Sequence, residues 1–263
     1  MPTKFASKPA LVFLTLIGLA ALLLPLNFII LEPGPTSNLL NANVSIANNQ
    51  IGQSQAADLK SGAIFSTTVF VTSPGDHPNG LAILHAWLDG NFAVEPTASV
   101  YRKGESAKAA TLREKNQMLV SQIDAAIAAH NFLTNSNSKT APMWQPGDVS
   151  IKMKHVGGSS AGLAFALAIL EKGGDLALIK GRKIAVTGTI TQKGDVGIIG
   201  GIDQKILGAK SSGANIFIAP RGNCAQISKY PKGMQIYAVR NIGEAVSVLS
   251  GEANSLSFTC PGK

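Results

Sequence analysis

Charged residues are scarce in this sequence. They make up 14 % of its 263 residues, and 15 Asp and Glu stand against 23 Lys and Arg, which gives a net charge of +8. A basic balance can indicate nucleic-acid binding, but these basic residues are scattered, lack interleaved aromatic residues, and form no basic helix or zinc-binding spacing. We therefore attribute the charge to solubility and weak attraction to anionic surfaces, and expect no nucleic-acid partner and no metal site.

Cysteine is nearly absent, because the chain contains only Cys224 and Cys260. If this part of the chain lies outside the cytoplasm, the two can form one disulfide that holds the C-terminal tail. If it lies inside, they are ordinary thiols. The topology of the chain therefore decides between the two, and the topology inferred next favours the disulfide.

Long uncharged, mainly hydrophobic runs are also rare, and there is only one, interrupted by Pro25 and Asn27. It extends from Ala10 to Leu31, 22 residues without a charge, enough for a helix to span a bilayer core of roughly 30 Å. Lys4 and Lys8 precede it, which predicts a cytoplasmic N-terminus and a chain that continues outside. A cleaved signal peptide is the alternative. The run exceeds a usual signal core and no small-x-small cleavage site follows it, so we favour a retained signal-anchor helix.

Strands and helices alternate after this run, which indicates an α+β fold of mixed, α/β-like character. We predict strands at Val44–Ile46 and Ile64–Val71, and helices at Leu81–Leu88 and Glu105–Leu133. The long helix has an apolar stripe that we expect to be buried, and His130 on it is interpreted as a packed histidine. The stripe comprises Leu112, Leu119, Ile123, Ala126, Ile127 and His130.

A glycine-flanked serine lies at the centre of the chain. Residues 157–162 read GGSSAG and precede an apolar, helix-like run, so Ser160 stands at a corner where a helix begins. Free backbone N–H groups at such a helix start, including that of Ala161, can hold the oxyanion of a tetrahedral intermediate. An ordinary N-cap serine has the same local pattern, and spacing alone does not separate the two interpretations.

The pattern Gly158-x-Ser160-x-Gly162 also matches the nucleophile corner of α/β-hydrolases, in which the histidine of the triad follows the serine. All four histidines here precede Ser160, which excludes that order. A triad with an earlier histidine such as His155 remains a minor alternative, because nothing marks a partner acid. The histidines are His77, His85, His130 and His155.

A neutral lysine amine can replace the histidine as base if burial lowers its pKa. Ile202, Lys205, Ile206 and Ala209 follow the i, i+3, i+4, i+7 pattern, which predicts that Lys205 points into an apolar helix face. A lysine in such surroundings must be paired, neutralised or functional. Lys210 lies near the end of the same segment, where its amine reaches water in the ordinary way. The residues thus predict a Ser160–Lys205 pair.

These motifs, in this order, resemble the proteolytic domain of the Lon protease family. That family has its nucleophile in a Pro-Ser-Ala-Gly corner and its base in a Gly-Gly-x-x-x-Lys segment, which correspond here to residues 159–162 and 200–205. Residues 187–191 (TGTIT) resemble its Thr-Gly-x-Ile-Thr strand. The resemblance implies a catalytic Ser160 and Lys205, with Thr187 helping to position the lysine. Ser159 replaces the usual proline.

The wider chain resembles the membrane-anchored Lon-like proteases of Gram-positive bacteria. The shared features are the N-terminal helix, the Pro33-Gly34-Pro35-Thr36 exit, the helices around Leu88-Asp89 and Ser121-Gln122, and Asn223-Cys224-Ala225. That subgroup usually has a PDZ domain between the long helix and the protease domain. Only residues 134–147 occupy that place here, too few for such a domain.

With this resemblance the sequence divides into seven regions. They are a cytoplasmic N-terminus (1–9), a transmembrane signal-anchor helix (10–31), a connector (32–60), a strand and helix region packing on the protease (61–133), a linker (134–147), a Lon-like proteolytic domain (148–252) and a C-terminal tail (253–263).

The resemblance implies a cofactor-free serine endopeptidase, outside the cytoplasm, that cleaves unfolded, misfolded or exposed polypeptide segments. No G-x-x-x-x-G-K-[ST] phosphate loop occurs, so we expect cleavage without ATP or with energy supplied from elsewhere. Lon relatives assemble into rings, which implies a homo-oligomer. The alternatives are a catalytically idle Lon-like scaffold or binding module, and another serine hydrolase such as an esterase.

Overall fold

The computed structural model describes residues 7–41, 43–47, 62–135, 142–153, 156–174, 176–251 and 258–260. The chain forms two compact units, one of residues 1–32 and 70–107 and the other of residues 33–69 and 108–263. Helices and strands mix throughout, which confirms the predicted α+β class.

The described residues form the following elements in chain order. The helices are α1 (Lys8–Leu23), α2 (Gly80–Asp89), α3 (Ala107–Asn135), α4 (Gly162–Gly173), α5 (Ile202–Ser211) and α6 (Ile242–Ser250). The strands are β1 (Phe28–Asn38), β2 (Val44–Ile46), β3 (Ala63–Val71), β4 (Ala93–Pro96), β5 (Val149–Ile151), β6 (Lys183–Val186), β7 (Thr189–Ile190), β8 (Val196–Gly197), β9 (Ile216–Pro220) and β10 (Gln235–Val239). Short 3-10 helices cover Thr97–Ser99, Pro146–Asp148 and Arg221–Gln226.

The larger unit is organised on a sheet of strands in the order β10-β9-β6-β3-β1. Strands β3, β6, β9 and β10 run parallel to their neighbours in that order. Two short antiparallel pairs, β2 with β5 and β7 with β8, complete the strands. The carboxyl ends of parallel strands lie at one edge of a sheet, and the residues that follow β6 there belong to the site described below.

Helix α4 forms the centre of the core of this unit. Every residue from Gly162 to Glu171 is buried, Phe165 among them with no exposed surface. On another part of the unit, helix α5 approaches β1 so closely that a Cβ on Gly208 would lie 2.6 Å from the backbone oxygen of Gly34. Glycine at this position therefore lets α5 lie directly on the sheet.

The smaller unit contains α1, α2, β4 and the first part of β1. Residues Phe28 to Leu31 of β1 pair antiparallel with β4. Helix α2 starts beside the end of α1. The two backbones are so close there that a Cβ on Gly80 would lie 2.7 Å from the backbone oxygen of Ala21.

The N-terminal apolar run is not one continuous helix as predicted. Helix α1 ends at Leu23, and Leu24 adopts an extended backbone (φ −70°, ψ 139°). Pro25 cannot donate the next helical hydrogen bond, and the β-branched Ile29 and Ile30 belong to strand β1. Within the described residues, no helix is at once long enough and apolar enough to cross a bilayer.

Strand predictions are confirmed at Val44–Ile46 and, within one residue, at Ile64–Val71. The segment from Lys183 to Ile190 contains two strands, β6 and β7, separated by Thr187 and Gly188. The predicted connector contains the second half of β1, which the sequence pattern did not reveal, and residues 48–61 lie outside the described part.

Helix α3 is confirmed, and Ala126 of the predicted stripe is buried, but three of the six stripe residues are exposed. Leu112, Leu119 and Ile123 are 60 %, 50 % and 58 % exposed, whereas the opposite, mostly small side chains face the core. His130 does pack, edge-on against Trp144, with ring centroids 5.5 Å apart. Alanine occupies these inner positions because its small side chain allows the helix to lie closer to the core than leucine would. The buried residues of α3 are Ala110, Met118, Ser121, Ala125, Ala126, Ala128, Ala129 and Leu133.

Candidate active site

The serine and the lysine singled out by the sequence lie side by side. The Nζ atom of Lys205 donates a hydrogen bond of 2.9 Å to the Oγ atom of Ser160, although 45 residues separate the two in the chain. Ser160 is partly exposed and Lys205 is only 3 % exposed. A buried amine and a reachable hydroxyl thus share one hydrogen bond.

Helix α5 holds the amine in an apolar environment. Ile202, Ile206 and Ala209, which the spacing put on the same helix face as Lys205, are all buried. Burial disfavours the charged ammonium and lowers the pKa of Lys205 from 10.5 to about 7. No described carboxylate forms an ion pair with it. Its amine is therefore neutral in a large share of molecules near pH 7, which is the form that accepts a proton.

The serine lies on a corner between Gly158 (φ +84°) and the start of α4. The helix is capped by Ala161 without a side-chain hydrogen bond, so the structure does not use the Ser160 hydroxyl as the helix cap. In the described part of the chain, the backbone N–H groups of Ser160 and Ala161 make no recorded hydrogen bond. Two N–H donors are therefore available next to the hydroxyl.

Thr187 connects the serine and the lysine. Its hydroxyl is fully buried, donates to the Ser160 carbonyl at 3.2 Å and accepts from Lys205 Nζ at 3.4 Å. The backbone N–H of Gly188 donates to the same carbonyl at 2.8 Å, from a backbone with φ +148° that favours glycine. The interruption between β6 and β7 thus fixes the backbone of Ser160 and gives the amine a second partner.

A buried asparagine fixes the segment that leads into α5. The Nδ2 atom of Asn223 donates to the carbonyl of Ile199 at 2.8 Å, and its Oδ1 atom accepts from the N–H of Ile199 at 3.0 Å. Gly200 and Gly201 follow Ile199, and α5 begins at Ile202. The sequence does not indicate this role, apart from the presence of an asparagine beside Cys224.

The two cysteines are joined to each other, with Cα atoms 5.4 Å apart. Cys224 follows Asn223 directly, so the bridge ties the residues around Cys260 to the turn that holds Ile199. Of the remaining candidates, His155 lies outside the described residues. Lys210 is exposed and donates to the carbonyl of Lys232.

We expect replacement of the buried lysine by an apolar residue to change how stability depends on pH. The pKa of Lys205 is about 7 in the folded protein and 10.5 for an ordinary lysine, as in the unfolded chain, so between these pH values the unfolded chain binds one more proton and stability rises with pH. Lys205→Met should therefore unfold at a higher temperature than the parent protein. The difference between the two unfolding temperatures should be largest at pH 7 and below, and should shrink as the pH rises towards 10.5.

Thermal unfolding is measured over this pH range, with circular dichroism as the signal. Lys210→Met on the exposed side of the same helix is the matched control, and its difference from the parent should stay constant with pH. A gap for Lys205→Met that does not depend on pH would contradict a buried, neutral amine.

We expect Asn223→Ala to destabilise the fold, because it removes the side-chain partners of two backbone groups of Ile199, a residue only 9 % exposed. Leaving a buried polar group unpaired costs about 1–3 kcal/mol, so the free energy of unfolding should fall by roughly 2–4 kcal/mol. Denaturant titration measures this loss. Asn215→Ala, at an exposed asparagine, should change stability by less than about 0.5 kcal/mol, and equal losses in both variants would refute the role given to Asn223.

Comparison with known proteins agrees with this geometry. Residues 114–250 match the family model of the Lon protease (S16) C-terminal proteolytic domain. The chain is 30 % identical over 181 residues to Lon protease 1 of Herpetosiphon aurantiacus, covering 65 % of this chain and 20 % of that protein. It is 35 % identical over 107 residues to Lon protease 2 of Bacillus subtilis, covering 39 % and 19 % respectively.

A third relative, the Lon protease of Buchnera aphidicola, is 28 % identical over 176 residues, which cover 62 % of this chain and 22 % of that protein. The chain thus spans about a fifth of the length of these curated relatives. The matched segment includes Ser160, Thr187, Lys205 and Asn223, and it accounts for more than half of the sequence. This chain belongs to the Lon protease (S16) C-terminal proteolytic domain family.

Proposed function

We propose that the protein is a serine endopeptidase in which Ser160 is the nucleophile and Lys205 the general base. The observation that carries this proposal is the 2.9 Å hydrogen bond between a buried, pKa-lowered amine and a partly exposed hydroxyl. A lysine of ordinary pKa would be almost fully protonated at neutral pH and could not take the proton of the serine. Relatives named Lon protease support the peptidase class.

In the proposed acylation step, Ser160 Oγ attacks the carbonyl carbon of the peptide bond while Lys205 Nζ accepts its proton. The tetrahedral oxyanion receives hydrogen bonds from the free N–H groups of Ser160 and Ala161. The carbon–nitrogen bond then breaks, and the Lys205 ammonium returns the proton to the leaving amine. Thr187 keeps the amine directed at the hydroxyl through its contact with Nζ.

Deacylation uses the same groups in the opposite order. Lys205, neutral again, removes a proton from water as the water oxygen attacks the ester carbon of acyl-Ser160. The intermediate collapses, the ester bond to Oγ breaks, and the ammonium returns a proton to Oγ. Atoms and charge balance over the cycle, whose net reaction is hydrolysis of one peptide bond.

We propose unfolded, misfolded or exposed polypeptide segments as substrates, cleaved without ATP. The sequence contains no phosphate-binding loop for an ATP-driven motor. In cleavage that uses no motor, a segment must already be extended for its carbonyl to reach Ser160.

We also propose that the protein is attached to a membrane through α1 and that its catalytic part lies outside the cytoplasm. Helix α1 carries only apolar and small side chains after Lys8, and its large side chains other than Leu22 are exposed, as in a helix surrounded by lipid. The Cys224–Cys260 bridge supports an oxidising location. Assembly into a homo-oligomer remains our expectation, and the exposed Leu112, Leu119, Val120 and Ile123 of α3 form a face suited to it.

We expect Ser160→Ala and Lys205→Ala each to lower the rate of casein cleavage by at least about 10³-fold, as loss of a nucleophile or base does. The full chain in mild detergent, without ATP, is the right material, because truncation before β3 would remove strand β1. Ser211→Ala and Lys210→Ala, on the exposed part of α5, are the matched controls and should retain full activity. Wild-type rates in either site variant would refute the proposal.

The pH dependence of kcat/KM tests the base independently. Only neutral Lys205 can accept the proton, so kcat/KM should rise with pH through about 7 and then level off. A lysine exposed to water would extend the rise to about 10.4. Initial rates on a fluorogenic peptide across this range decide between them, and a rise that continues beyond pH 9 to about 10.4 would show that Lys205 is not the buried base.

A further inference from the structure

Helix α2 has an apolar side that no described residue covers. Leu81, Leu84, Trp87 and Leu88 lie together on it and are 54 %, 41 %, 73 % and 69 % exposed. The opposite side of the helix holds the buried Ala86. Exposure of a single large apolar residue is ordinary, but four neighbours on a helix of 10 residues indicate a binding surface.

This side of α2 continues from the exposed surface of α1. Pro25 forms a β-bridge with Asn79, the residue that caps α2, and the N–H of Leu26 donates to the carbonyl of Pro78 at 3.1 Å. The contact of Gly80 with Ala21 places the first turn of α2 against the last turn of α1. The uncovered face of α2 therefore begins at the level where α1 ends.

The chemistry of α1 identifies the partner. Except for the half-buried Leu22, its large apolar residues are 50–64 % exposed and occupy every side of the helix, with no charged residue after Lys8. A protein partner would cover one stripe of such a helix, whereas lipid covers all sides. A surface that adjoins α1 and carries a tryptophan fits the interfacial layer of the same bilayer, where the indole ring has an apolar body and a polar N–H.

We propose that α2 lies in the membrane interface, with Leu84, Trp87 and Leu88 in contact with lipid. His85 and Asp89, both exposed, border this face on its polar side, as expected for a helix lying along a headgroup layer. The proposal rests on the proposed membrane attachment through α1. It adds a second contact, which fixes how the smaller unit sits on the lipid surface.

Tryptophan fluorescence provides the test, because the chain has two tryptophans. Trp87 is 73 % exposed, whereas Trp144 is 3 % exposed and donates its indole N–H to the Gly173 carbonyl at 2.9 Å. The full chain is reconstituted into phosphatidylcholine vesicles whose acyl chains carry bromine, a short-range quencher, near the headgroup or near the chain end. Trp87→Phe leaves Trp144 alone and so separates the two emissions.

We expect lipid brominated near the headgroup to quench most of the Trp87 emission, lipid brominated near the chain end to quench less, and the Trp87→Phe variant to be unaffected by either. In the double variant Leu84→Asp, Leu88→Asp, the quenching should be lost and the Trp87 emission should shift to longer wavelength. That variant should still float with the vesicles, because α1 is unchanged.

Three results would overturn the proposal. Trp87 that is not quenched in vesicle-bound protein would show that α2 lies away from lipid. Trp87 emission that shifts with protein concentration in the same vesicles, without quenching by bromine, would assign the face to a second copy of the chain. Failure of the unmodified chain to float with vesicles would refute membrane attachment itself. None of these readouts depends on peptidase activity.

Discussion

The burial of one lysine amine beside one serine hydroxyl is the constraint on which the site depends. A buried ammonium without a carboxylate partner is unfavourable, and losing its proton removes the charge at the lowest free-energy cost. Burial of Lys205 among Ile202, Ile206 and Ala209 thus lowers the pKa of its amine and, at the same time, costs stability. The rest of the larger unit must keep the amine buried and the hydroxyl reachable, since a lysine side chain is long and flexible enough to escape to water.

Three separate contacts prevent that escape. Thr187, at the interruption after β6, contacts the amine and the serine carbonyl together. Gly208 allows α5 to lie directly on the backbone of β1, which leaves the helix little freedom to tilt outward. Asn223 holds Ile199 immediately before α5 begins, and the neighbouring Cys224 is bound to Cys260. Each contact comes from a different element, so the position of the amine is determined by the folded unit as a whole.

The parts that sequence could predict are those with a local cause. Lys205 was found because helical spacing determines which neighbours share its face, and Ser160 because glycines mark a corner. The role of Asn223 could not be predicted in this way, because its side chain bonds to Ile199, 24 residues earlier in the chain. The first four residues of strand β1 lie at the end of an apolar run that favours a helix as readily as a strand, and the rest lie in the predicted connector. In α3, hydrophobicity pointed to Leu112 and Leu119, but the helix buries mainly alanines, whose small side chains let it lie close against the core.

That close approach also explains how the corner tolerates a serine at position 159. In the resembled motif a proline stands there, and its ring restricts the backbone before the nucleophile. Here the carbonyl of Ser159 accepts a hydrogen bond of 3.0 Å from the hydroxyl of Ser121 on α3, and the N–H of Gly158 donates to the carbonyl of Glu114 at 2.8 Å. A proline at position 159 would restrict the backbone between residues 158 and 159. Here two hydrogen bonds from α3 hold these same two residues, Gly158 and Ser159. Helix α3 therefore supports the serine corner through Ser121 and Glu114, in addition to packing against the core.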